Sequence, residues 1–198
     1  MYYQPGGNYY TQQANLQFPN RMNSVRTPMQ MYVQQVIQNW NDGPKNQVLK
    51  FMKKYGLPDE ATPRMMIWYN NEPWKRTVIY KETVLHNYPK KHVDFIEQTI
   101  SYRVPIHLYD NIARFDGSII LDRTKGEVTA RCDNEAMNYA ALNIMHEIVT
   151  RKRTEQEARD YLAKTAKEYE NNEPTPYTEG FLFKLPTKKT ADPDKAVL

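Results

Sequence analysis

The sequence predicts an α+β protein: two β-hairpins forming a small antiparallel sheet, packed by several helices, with extended arms at both ends. Three observations predict it. Apolar residues cluster between about 28 and 170, while both ends are poor in them. The apolar period switches between helical and alternating along that body. Turn residues such as Asn70-Asn71-Glu72-Pro73 and Thr124-Lys125-Gly126 stand where the alternating stretches must reverse. The expected organisation is an arm over 1–27, one α+β domain over 28–170 and a Pro/Lys-rich tail over 171–198.

The first helix starts at Thr27-Pro28-Met29-Gln30. Thr27 can cap, Pro28 sits where its missing N–H is harmless, and Gln30 can close a capping box. Tyr32, Val33, Val36, Ile37 and Trp40 follow at helical spacing, with Asp42-Gly43 as the stop. A second helix is expected from Pro44 to Tyr55, ended by Gly56. Arg64 to Tyr69 and Thr77 to Tyr80 read as paired strands across the Asn-rich turn. A loop over His86–Lys91 then leads into a helix expected from His92 to Ser101, carrying Val93, Ile96 and Ile100. Pro105 opens a shorter helix with Leu108, Ile112 and Phe115.

The second hairpin pairs Ile119–Arg123 with Glu127–Cys132, with Gly126 at the left-handed position. Asp133 caps the most apolar helix, which runs to about Arg151. Thr154-Glu155-Gln156-Glu157 is a capping box for a further helix ending near Tyr169. Order is expected to dissolve from Asn171.

Composition narrows the function classes. The 198 residues carry a net charge of +4, of which Arg21 and Arg26 supply half, and from Glu173 onward four acids match four lysines. No concentrated basic stripe of the kind nucleic-acid binders show is present. A single cysteine excludes an internal disulfide framework and a Cys-rich zinc site. The N-terminus has neither the basic nor the apolar segment of a secretory signal, and no apolar run reaches membrane-spanning length. The expected location is the cytoplasm or an intracellularly assembled particle.

No catalytic constellation is legible. His86 and His92 are six residues apart across a Pro-containing loop, a spacing without ligand geometry of its own, and His146 lacks the second histidine of a zincin helix. No metal and no cofactor are expected. Cys132 beside Asp133 reads as a small buried hydrophobe, with an enzyme built near it as the weakest alternative.

The N-terminal twenty residues carry four Tyr, four Gln, three Asn and no charged side chain. Such a stretch cannot build a core, yet it lacks the charge that keeps most tails solvated, so it suits lying along a partner. The expectation is a non-enzymatic structural or assembly component, virion or capsid-associated particles included. Tyr2, Tyr3, Tyr9, Tyr10 and Phe18, with Phe181, Leu182 and Phe183 in the polar tail, are the expected contacts to other protein subunits. The alternative is a nucleic-acid-associated protein using the aromatic and basic hairpin 68–76, with Trp68 and Trp74 stacking on bases and Lys75 and Arg76 meeting phosphates.

Overall fold

The structure, a computed structural model, describes residues 27–173 and 175–198. Its helices are α1 (Pro28–Ile37), α2 (Asp42–Tyr55), α3 (Tyr109–Phe115), α4 (Glu135–Val149), α5 (Glu155–Glu170) and α6 (Pro176–Glu179). Its strands are β1 (Glu60–Ala61), β2 (Met65–Tyr69), β3 (Arg76–His86), β4 (His92–Ser101), β5 (Ile119–Asp122) and β6 (Glu127–Cys132). The strands form one open sheet in the order β1-β2-β3-β4-β6-β5, with every pairing antiparallel. Among the described residues no helix is long and apolar enough to cross a membrane.

Most local signals operate as their chemistry dictates. The Thr27 hydroxyl accepts from the Gln30 amide, and Thr154 with Glu157 closes a complete capping box on α5. Asn70 turns the first hairpin at a φ of 50°, and Gly126 turns the second at 63°. Gly126 has a further constraint. A Cβ there would fall 2.2 Å from the carbonyl of Thr190, so the tail lies directly on this turn. Asp42 and Gly43 lie in the first turn of α2, two residues before the expected start, where the Asp42 carboxylate favours the helix N-terminus.

The expected helix over 92–101 is a strand. Val93, Ile96 and Ile100 fit a helical stripe, but Ile96, Gln98 and Ile100 also fit a period of two. The β-branched Val93, Ile96, Thr99 and Ile100, with Phe95, favour the extended form. Tertiary pairing decides it, because β3 flanks β4 on one side and β6 on the other, joining the two hairpins into one sheet.

Register places Met66, Trp68, Thr77, Ile79, Ile96, Gln98, Ile100, Val128 and Ala130 on one sheet face. The helices cover that face in two groups. Val33 and Ile37 of α1 and Val48 and Phe51 of α2 meet Met66, Trp68, Ile79 and Ile96. Helices α3, α4 and α5 meet Ile100, Ile119, Val128 and Ala130. Ten of the fifteen α4 residues are buried, so this helix is the centre of the larger core.

Glu135, in the first turn of α4, sits between the two cores. Its Oε1 accepts from Tyr55 Oη at 2.5 Å, Trp74 Nε1 at 2.7 Å and Gln98 Nε2 at 3.0 Å, and its Oε2 pairs with Lys54 Nζ. Burial pushes its pKa up, but the bonds from Lys54, Tyr55, Gln98 and Trp74 outweigh that and hold it below the usual range. A depressed carboxyl contributes stability that is present above the unfolded Glu value of about 4.3 and is lost as pH falls through the folded one. Glu135→Gln, which keeps the shape and removes the charge, is expected to lose about 2 kcal/mol at neutral pH. Urea unfolding at a series of pH values checks this, and the gap between variant and parent should narrow in acid.

Candidate functional site

The strongest concentration of chemistry lies at the loop end of the β3–β4 hairpin. Register sets His86 directly opposite His92, and Asp94 two residues on shares the face of His92. The spacing that carries no meaning along the chain acquires it across the hairpin. Asp94 is 1 % exposed. Its Oδ2 accepts from the Ser118 hydroxyl at 2.5 Å and lies 3.4 Å from His86 Nδ1, and its Oδ1 lies 2.9 Å from His92 Nε2. Ser118 Oγ is itself 3.1 Å from His86 Nδ1, and His86 Nε2 faces the buried Asp116 at 3.7 Å. His92 Nδ1 lies 2.8 Å from the Lys90 carbonyl. Ligand atoms of His86, His92 and Asp94 all fall within 4.8 Å of one another.

The loop closing this hairpin is pinned to the body. Tyr88 donates to the Arg159 carbonyl at 2.5 Å, while the Arg159 guanidinium lies 3.8 Å from the Tyr88 ring centroid. Beneath it is a cavity of about 20 Å³, lined by His86, Tyr88, His92, Asp116, Cys132 and Leu162 among others, which has room for one water.

The electrostatics follow from burial. For His92, burial pulls the pKa down, but the close Asp94 carboxylate, the Lys90 carbonyl and the charge of Asp133 raise it overall. Burial raises the Asp116 carboxyl, against the Ser118 N–H and His86, which favour its ionised form.

Cys132 lies 3.6 Å from His92 Nε2 and 3.6 Å from Asp133 Oδ1. A histidine is therefore within reach of the thiol, as a nucleophile would require. Burial pushes this thiol well above its ordinary pKa, and the charges of Asp133 and Asp94 add to the rise. His92 Nε2 faces thiol and carboxylate alike, so the two do not flank the ring as in a catalytic triad.

Tyr2, Tyr3, Tyr9, Tyr10 and Phe18 lie outside the described residues. Trp68 and Trp74 are core residues, 2 % and 1 % exposed, so neither ring can stack on a base. Trp68 Nε1 donates to the Gly56 carbonyl and Trp74 Nε1 to Glu135. Lys75 and Arg76 both pair with the buried carboxylate of Glu127, at 2.8 and 3.3 Å.

Phe181 and Phe183 pack on this chain's own body, and Leu182 points out at 53 % exposure. Phe181 meets Trp74 and Tyr139 at centroid distances of 5.1 and 5.0 Å, and Phe183 stacks on His146 at 4.1 Å. The tail beyond is held too. Arg103 donates to the Thr190 and Ala191 carbonyls, Asp192 N–H bonds to Thr124, and Arg123 pairs with Asp194. The order expected to dissolve at Asn171 is thus restored by docking. A lone apolar triplet in polar sequence could have signalled an internal dock as well as an external one.

No family model, no curated protein and no solved structure matches this chain.

Asn143 is the anchor of the docked triplet. It is 2 % exposed, donates to the Tyr177 and Gly180 carbonyls at 3.0 and 2.7 Å, and accepts from the Leu182 amide at 2.8 Å. Asn143→Ala leaves three backbone groups unpaired and is expected to cost about 2 kcal/mol locally, raising the undocked fraction roughly 30-fold. Trypsin cleavage after Lys184, followed by mass spectrometry, should accelerate accordingly.

Proposed function

We propose that this protein is a non-enzymatic structural or assembly component of a larger complex, with the N-terminal arm as its tether. The observation that carries this reading is an open strand edge. Strand β2 pairs with β3 only up to Tyr80; past a register shift between Ile79 and Val84, residues Val84 to His86 of β3 pair with β4 and with no other described strand. Val84 and Leu85 on that stretch are 54 % and 57 % exposed. Unpaired backbone groups flanked by apolar side chains are the features to which an added strand binds. The charge-free Tyr/Gln/Asn segment supplies a chain suited to extended contact, because its rings bring apolar area and its amides pair with backbone. A capsid-associated particle and a large cellular machine both fit this reading.

The test is limited proteolysis of the purified chain and of the chain within its native assembly, alongside a Val84→Lys, Leu85→Lys double variant. The expected result is rapid trypsin cleavage at Arg21 and Arg26 in the free chain and protection in the assembly. The double variant should keep its circular dichroism and incorporate at least about tenfold less well, given the apolar contact it removes. Equal cleavage in both states, together with normal incorporation of the double variant, would overturn the proposal.

A further inference from the structure

We propose that His86, His92 and Asp94 form a binding site for a divalent transition-metal ion of the zinc class. This goes beyond the assembly reading and does not depend on it. The donor set is two imidazoles and one carboxylate, converging within 4.8 Å. Nitrogen donors with one carboxylate suit zinc-like ions, whereas calcium and magnesium prefer all-oxygen shells.

A second observation points to a cation site at the same place. Asp94 Oδ1 is buried and faces the cluster, and although His92 Nε2 lies 2.9 Å away it accepts no well-aligned hydrogen bond among the described residues. A carbonyl can only accept, so the 2.8 Å contact with the Lys90 carbonyl puts a proton on His92 Nδ1. Nε2, the other nitrogen of the ring, stands 2.9 Å from Asp94 Oδ1. A metal ion bound there takes both atoms as ligands.

The surroundings supply what a metal site needs behind its ligands. A ligating histidine donates its other N–H to a carbonyl or carboxylate, which fixes the ring. The Lys90 carbonyl does this for His92. For His86, Nδ1 faces Asp94 Oδ2 and the Ser118 hydroxyl, and Asp116 lies 3.7 Å from Nε2, beyond direct hydrogen-bond reach. Ser118 holds Asp94 Oδ2. Two carboxylates, Asp94 at 1 % and Asp116 at 5 % exposure, are buried here, and in the ion pairs described only His86 and His92 face them. A dication offsets that charge, and the adjoining cavity admits a single water or ion.

The experiment uses the untagged full-length chain, stripped with chelator and titrated with Zn²⁺ by calorimetry and with Co²⁺ by visible absorption. The expected result is one equivalent of Zn²⁺ and a four-coordinate Co²⁺ spectrum. His92→Ala and Asp94→Asn should each weaken Zn²⁺ binding 100-fold or more, beyond the 10–100-fold typical of losing an outer partner. Asp94→Asn keeps an acceptor for Ser118 and should fold normally by circular dichroism, so a loss of binding there is a loss of ligand. Absence of a stoichiometric Zn²⁺ isotherm and Co²⁺ spectrum in the parent chain would overturn the proposal without reference to any variant. So would Zn²⁺ binding unchanged in both variants, or a preference for Mg²⁺ or Ca²⁺ over Zn²⁺.

Discussion

The carboxylate of Glu135 is the interaction on which the rest of this structure depends. The sheet carries two separate apolar cores side by side, one under α1 and α2 and the other under α3, α4 and α5. Two cores on one twisted sheet could shift relative to each other. Glu135 prevents this by drawing Lys54 and Tyr55 of α2, Trp74 of the β2–β3 connection and Gln98 of β4 onto the first turn of α4. The α4 N-terminus favours a negative charge at that place, so the helix dipole and the four donors act in the same direction. Gln98 extends the contact into the sheet, since it also bonds Thr77 and accepts from Asn138. A buried polar network of this kind fixes orientation in a way that apolar packing alone does not.

Much of the fold was legible because its local signals agree with one another. Thr27, Thr154, the Asn70 turn and Gly126 each satisfy or turn the backbone by a mechanism written in a few residues. The segment 92–101 was not legible in the same way, because its apolar positions fit both periods and only its neighbours β3 and β6 choose between them. The docking of 175–183 also depends on partners far along the chain, chiefly Asn143, Trp74, Tyr139 and His146. The same limit hid the histidine cluster. His86 and His92 become opposed only once the loop between them is a hairpin, and Ser118 and Asp116 arrive from another part of the sequence.

Both proposals fall on the same hairpin, and there is a physical reason. Strands β3 and β4 extend past the end of β2, where no further strand described here covers β3. A two-stranded extension is weak by itself, since a hairpin alone is marginal in water. It is held from one side by Tyr88 on Arg159 and by the Asp94, Ser118 and Asp116 contacts with the histidines. That leaves its other edge, with Val84 and Leu85, facing solvent. An ion bridging His86 on β3 to His92 and Asp94 on β4 would clamp the two strands beside the loop that joins them. The rigidity of the clamp and the availability of the open edge are then coupled, because a strand adds more favourably to an edge already held straight than to one that must first be ordered.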